Sequence, residues 1–303
     1  MRLEKVRLLG LGAVGAPIAV ALEGICDFAI LLDEGRIRRY EEEGRTVNGV
    51  RHDFAIDRTD TPADLVIIAC KNNDLAEALD TLAPHVGEET AIMSLLNGIE
   101  SEEVLASRFG WGHIIHSFIT GLSSVREGGR IDCFSPGGGI VVFNERDGGR
   151  SGRIDAIAQL FDRAGIRYEI PEDIIHEMWW KFAFNVCINT LSAIMDLDYS
   201  QMNGNADFQR LVRMMAREIA PVARAEGVAF TASDEEKFFR ILAQLDGNGR
   251  TSMLQDIDAG RETENRFLAQ SLTALARRHG IATPCCDFAA AMVEARSHAR
   301  KAE

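Results

Sequence analysis

Lys181, Asn185 and Asn189 stand where apolar side chains belong. Residues 176–194 around them hold Met178, Trp179, Trp180, Phe182, Phe184, Val186 and Ile188. Such a helix is apolar nearly all round and belongs in a core. The three polar residues recur four apart, which at about 100° per residue places them on one face, within an arc of roughly 80°. A lysine and two amides on one stripe of a core helix are costly unless a polar ligand meets them. Lys181 at the helix edge, with the amides bonded to backbone, would be the bland alternative. Further along, Glu264 shares an apolar stripe with Ile257, Leu268 and Leu275 on a helix that the pattern extends over 253–279. Lys181 is its expected partner, either in a structural salt bridge or in a tuned pair, since burial lowers a lysine pKa and a nearby carboxylate raises it. Ser252 adds a hydroxyl, which with Gln255 also reads as a helix-capping box.

A second set of residues suits a dinucleotide. Gly10-Leu11-Gly12-Ala13-Val14-Gly15 follows an apolar strand and opens a helix. Gly10 permits the tight turn, Gly12 lets backbone approach a pyrophosphate, and Gly15 lets the helix sit close to the strand. The helix N-terminus offers unpaired N–H groups to the phosphates, with Pro17 in or near its first turn, where a missing N–H does least harm. Asp33 ends the second strand near the spacing at which an acid bonds a ribose 2′-hydroxyl, which favours NAD(H) and repels a 2′-phosphate. Arg36, Arg38 and Arg39 follow at once, and any of them could pair with that phosphate, so the chemistry leaves both cofactors open. Lys71 and Asn97 each follow a parallel strand, at the carboxyl ends where open α/β sheets bind ligands, and could face the cofactor. Lys71 as a surface charge and Asn97-Gly98 as a plain turn are the alternatives.

The elements that must position these groups are legible as runs. Strands are expected at 6–10, 28–33, 65–71, 91–96, 114–119 and 166–170, and helices at 13–23, 36–43, 74–82 and 154–163. Residues 47–56 read as a hairpin excursion, and 131–134 with 139–143 as a hairpin about Ser135-Pro-Gly-Gly138. Continuous rather than alternating apolarity argues a mostly parallel sheet covered on both faces. From Pro171 onward helical periodicity takes over, at 173–199, 203–226, 233–246, 253–279 and 284–300, with Asp246-Gly-Asn-Gly249 as a break. The expected organisation is an α/β dinucleotide-binding domain over 1–170 and an all-helical substrate-binding and catalytic domain over 171–303.

The 303 residues are 46% hydrophobic and 26% charged, which fits an ordinary globular chain of two domains. A net charge of −13 argues against a nucleic-acid partner. The six cysteines form no Cys-x-x-Cys pair and the seven histidines are scattered, so no metal site is expected. Arg2, Lys5 and Arg7 before the apolar run 8–22 mimic a signal peptide, but Gly10, Gly12, Gly15 and Pro17 weaken it. No membrane span is expected, and free thiols in the cytoplasm are the default reading.

These features together resemble the ketopantoate reductase (2-dehydropantoate 2-reductase) family over nearly the whole chain. The resemblance rests on Gly10-Leu-Gly-Ala-Val-Gly15, Cys70-Lys71, Leu95-Leu-Asn97-Gly98 and Trp180-Lys181-Phe-Ala-Phe-Asn185-Val-Cys-Ile-Asn189. It closes with Thr251-Ser252-Met-Leu-Gln-Asp256-Ile-Asp-Ala-Gly260-Arg-Glu-Thr-Glu264. The last two motifs are specific to that family, whereas many dehydrogenases share the glycine turn. The resemblance implies a Rossmann-type doubly wound domain followed by a helical one, and NADPH-dependent reduction of 2-dehydropantoate to (R)-pantoate in pantothenate biosynthesis. Lys181 would then be the general acid, and Asn185, Asn189 and Ser252 would bind substrate. Lys71, Asn97 and Glu264 would hold the cofactor and orient the lysine. Asp33 departs from the family's usual basic residue near this position and keeps NAD(H) open. Another branched 2-oxo acid is the alternative substrate. A non-catalytic NAD(P)H sensor is the alternative function, against which the complete polar set stands. An apolar helical domain is also compatible with a homodimer.

Overall fold

The structure, a computed structural model, describes residues 2–135, 138–245, 247 and 249–301. Eleven strands run in order as β1 (Lys5–Leu9), β2 (Asp27–Leu31), β3 (Arg45–Val47), β4 (Val50–His52), β5 (Leu65–Ile68), β6 (Ala91–Ser94), β7 (Ile114–Thr120), β8 (Ser124–Glu127), β9 (Arg130–Cys133), β10 (Ile140–Asn144) and β11 (Arg167–Glu169). Seven form one sheet in the order β11-β10-β7-β6-β5-β1-β2. It is parallel from β2 through to β7, and β10 is antiparallel to β7. Five helices accompany it: α1 (Gly15–Leu22), α2 (Glu34–Glu43), α3 (Asn72–Leu82), α4 (Ser101–Phe109) and α5 (Gly152–Ala164). Val6, Leu8, Leu65, Ile67 and Met93 pack with Ile18, Leu22, Ile157 and Phe161 on one face. Leu9, Val66, Ile68 and Ile92 pack with Leu75, Leu82 and Leu105 on the other. Burial on both faces is why these strands read as unbroken apolar runs, and the fold is the doubly wound Rossmann type.

The hairpin expected of 131–134 with 139–143 does not form. β9 pairs with β8 and β3 in a separate four-stranded sheet, ordered β4-β3-β9-β8, while β10 joins the main sheet. Proximity in sequence misled, because β8 is polar and short and had no apolar signature. Helix α4 was likewise not anticipated. The turn read at 135–138 and the break read at 246–249 each include residues outside those described, namely Pro136, Gly137, Asp246 and Asn248.

Contacts divide the chain into two compact units, Met1–Leu96 with Glu100–Ile174, and Asn97–Ile99 with Ile175–Glu303. The second is helical: α6 (Ile174–Phe184), α7 (Thr190–Met195), α8 (Tyr199–Met202), α9 (Ala206–Ala225), α10 (Ala232–Leu242), α11 (Ser252–Asp258), α12 (Ala269–Arg278) and α13 (Pro284–Lys301). Trp179, Phe182, Val186 and Ile188 sit in its core beside Phe208, Met215, Phe238 and Leu272. The single helix expected over 253–279 is broken. α11 stops at Asp258, Gly260 takes φ +63, and a separate 3-10 turn, Glu264–Phe267, precedes α12. Apolar periodicity resumed in phase across the break and concealed it.

One buried acid of the first unit has no ionic partner among the described residues. Glu102 on α4 accepts from Ser101 Oγ at 3.0 Å, while its Oε1 is buried without a partner. Burial raises its carboxyl from an ordinary 4.5 to about 7. The folded state therefore holds the proton that the unfolded chain releases, and stability falls as pH rises from 4.5 to 7 and then levels off. Relative to Glu102→Gln, the native chain is expected to lose about 2–3 kcal/mol of unfolding free energy between pH 5 and 8. Urea melts of both proteins at the two pH values measure this, and parallel losses would refute it.

Candidate active site

The glycine turn is built as a phosphate-binding turn must be. β1 lies between β2 and β5, so the turn that follows it meets the ends of both neighbours. Gly10 has φ +102, and a Cβ there would stand 2.4 Å from the backbone N of Cys70. A Cβ on Gly15 would lie 1.9 Å from the carbonyl of Gly10, so only glycine lets α1 close on the turn. Gly12 has nothing within 4 Å of its would-be Cβ, which leaves room for a ligand to approach the backbone. α1 starts at Val14–Gly15 with no side-chain cap; its Ala16 N–H donates to the Gly12 carbonyl at 3.0 Å and Pro17 has no N–H, so an anion at this end would meet the backbone ahead of Ala16. Leu11 is buried, and Ala13 and Val14 are half-buried. Asp33 follows β2 and caps α2, its Oδ1 accepting from the Arg36 N–H at 2.9 Å. Lys71 occupies the N-cap position of α3 beyond β5 and is exposed. These residues fit a dinucleotide.

The polar stripe lies in the helical unit. After Lys181, near the end of α6, the backbone widens into a π turn over Asn185–Asn189 before α7 begins. Such a turn re-aims side chains from a helix and recurs at functional sites. Asn185 is 2% exposed and Asn189 7% exposed. Asn185 Nδ2 donates to Asn97 Oδ1 at 3.2 Å, and Asn97 Nδ2 donates to Glu264 Oε2 at 2.9 Å. Asn97, three residues beyond β6, belongs to the helical unit and stands there between an amide and a carboxylate. Gly98 makes this placement: it has φ +97, and a Cβ would come 2.9 Å from the carbonyl of Phe267 in the turn that carries Glu264. An Asn-Gly pair after a strand signals a turn, and the structure adds the close approach to Phe267 that this turn permits.

The expected Lys181–Glu264 pair does not form. Among the described residues Lys181 makes no ion pair, and its nearest charge-stabilising contact is the Phe184 ring, 5.5 Å from the ammonium. The break at Gly260 places Glu264 at the head of its own turn, against Asn97. Lys237 shows the contrast, since it stands over Trp180 at 4.3 Å but pairs with Glu177 at 2.8 Å. Uncompensated burial lowers the Lys181 ammonium from 10.5 to about 8. Asn189 also makes no side-chain hydrogen bond among the described residues. Ser252 is exposed and does not cap α11; Thr251 does, accepting from the Leu254 N–H at 3.3 Å. Gln255 instead donates to the Arg250 carbonyl at 3.0 Å. The Ser252 hydroxyl is thereby left for another partner.

Residues 6–147 match the family described as ketopantoate reductase PanE/ApbA, and residues 173–297 match its C-terminal part. A 2-dehydropantoate 2-reductase of Archaeoglobus fulgidus is 27% identical over 286 residues, covering 93% of this chain and 94% of its own. The crystal structure of 2-dehydropantoate 2-reductase from Geobacter metallireducens is 26% identical with TM-score 0.82, over 95% of this chain and 99% of that one. D-mandelate dehydrogenase, in a ternary structure with NADH and anilino(oxo)acetate, has the same fold, with TM-score 0.88 at 21% identity over 98% and 99% of the two chains.

A half-buried ammonium with no ion pair among the described residues weakens the fold. The cost is present in full below pH 8 and fades as pH rises toward 10.5, where the unfolded chain also loses the charge. Lys181→Met is therefore expected to stabilise the protein at pH 7 by about 2 kcal/mol, allowing for the water that reaches this partly exposed side chain. Chemical denaturation measures it; a variant less stable than the native chain would contradict uncompensated burial.

Proposed function

The chain belongs to the ketopantoate reductase family, and from that premise we propose that it reduces the C2 ketone of 2-dehydropantoate to (R)-pantoate, a step of pantothenate biosynthesis. It is a nicotinamide-dependent oxidoreductase, and the cofactor supplies the hydride when bound. The observation that carries the reading is Lys181, a charged donor set in an apolar helix without a counter-ion. Such a group both stabilises negative charge developing on a ketone oxygen and delivers the proton that oxygen needs. With its pKa near 8 it is mostly protonated at neutral pH yet gives up its proton more readily than an ordinary lysine.

The remaining residues bind and orient. Asn189 and Ser252, whose side chains have no partner among the described residues, would take the substrate carboxylate and hydroxyl, joined by the Oδ1 of Asn185. Asn97 and Glu264 would act as positioning residues, holding the Asn185 amide and with it the π turn. Gly10 to Gly15 would cradle the pyrophosphate, with Asp33 toward the adenosine ribose and Lys71 nearby. No helix among the described residues is long and apolar enough to cross a membrane, which suits a small-molecule enzyme.

Lys181→Ala is expected to lower kcat by about 10²- to 10⁴-fold, while the dissociation constant for the reduced dinucleotide stays within about twofold. Dinucleotide oxidation with 2-dehydropantoate and a panel of branched 2-oxo acids, in native and variant protein, tests both substrate and acid. Fast turnover by the variant would exclude Lys181 as the acid. Preference for another 2-oxo acid would move the substrate within the same chemistry, and tight dinucleotide binding with no turnover on any ketoacid would indicate a sensor.

A further inference from the structure

Arg36 is held between two carboxylates that belong to different strand ends. Its Nε lies 3.2 Å from Asp33 Oδ2, after β2, and its Nη2 donates to Asp74 Oδ2 at 2.9 Å, in the first turn of α3 after β5. Arg36 therefore spans the carboxyl ends of β2 and β5, the two strands that flank β1 and its glycine turn. Arg39 is engaged with Glu43 at 3.1 Å, and Arg38 lies about 200° round the helix from Arg36. Of the three arginines, Arg36 is the one aimed at the strand ends.

All three members of the cluster are well exposed, with side chains 51%, 51% and 39% accessible for Asp33, Arg36 and Asp74. Ion pairs so exposed contribute little to folding, so the cluster's effect falls on what approaches it. Its net charge is −1, and its one cation is already paired with two acids. A 2′-phosphate, with about two negative charges, would have to compete with both carboxylates for Arg36 and meet their repulsion, whereas a 2′-hydroxyl needs only an acceptor such as Asp33.

We propose that Asp74 is a specificity-determining residue: by holding Arg36 against Asp33 it withholds the arginine from a 2′-phosphate and makes this chain prefer NADH to NADPH. This rests on reading the glycine turn as a dinucleotide site, and deepens that reading by assigning the selecting residues.

The test is the dissociation constant of each reduced dinucleotide, by fluorescence titration, for native protein, Asp74→Asn, Asp33→Asn and Arg36→Ala. Asparagine is chosen at 33 because it keeps the cap of α2 while removing the charge. Native protein is expected to bind NADH more tightly. Asp74→Asn should tighten NADPH about fivefold with NADH unchanged within about twofold, the size of effect one exposed ion pair carries. Asp33→Asn should shift the ratio toward NADPH by about tenfold, and Arg36→Ala, combined with Asp74→Asn, should cancel the gain. Equal ratios in native protein and Asp74→Asn, with both dinucleotides binding, would overturn the assignment to Asp74 alone. Binding of neither dinucleotide to native protein would instead overturn the reading of the glycine turn.

Discussion

Lys181 carries its charge on a helix that holds Met178, Trp179, Trp180, Phe182 and Phe184, and among the described residues no carboxylate comes to meet it. Much of the helical unit is arranged around that fact. Its neighbour Lys237 has Glu177 and becomes an ordinary interhelical pair. Glu264, the acid best placed by sequence to neutralise Lys181, is turned toward Asn97. A half-buried ammonium without a counter-ion costs stability, which selection tolerates where a ligand's charge completes the site. The lowered pKa follows from the same cause, since burial without a counter-charge disfavours the protonated form.

The amides around the lysine depend on two departures from regular helix. The π turn at Asn185–Asn189 re-aims two buried amides that a regular helix would hold about 40° apart on one face, and Gly98 lets the chain come close enough to Phe267 to bring Asn97 onto Glu264. Hydrogen bonding from Asn185 through Asn97 to Glu264 satisfies the buried Asn185 amide and ties it to two half-buried polar groups. Asn189 and Ser252 remain outside that chain of bonds. In the sheet unit the same logic of close approach recurs, with Gly10 and Gly15 allowing backbone contacts that no side chain would permit.

The sequence made the sheet unit largely legible, because strands buried on both faces leave continuous apolar runs and the glycine spacing has a narrow physical meaning. It also exposed Lys181, Asn185 and Asn189, since polar residues in an apolar helix are conspicuous. What it hid were features that periodicity does not encode. Ile257, Leu268 and Leu275 kept phase across the break at Gly260, so Glu264 read as mid-helix and as the partner of Lys181. β8, polar and four residues long, left no apolar signature, and β9 was therefore paired with the wrong neighbour. Ser252 and Thr251 differ by one position as caps, a distinction only the backbone conveys. Asp74 drew no notice because its meaning arises from Arg36, 38 residues away.

The claim on which the rest turns is that an unpaired Lys181 supplies the proton. Its most direct measurement is the pH dependence of kcat/KM for 2-oxo acid reduction, which reports the free enzyme's essential groups. An acid of pKa about 8 makes kcat/KM level below that pH and falling about tenfold per unit above it. A profile that stays flat through pH 9.5, or a fall that persists unchanged in Lys181→Arg, would contradict it.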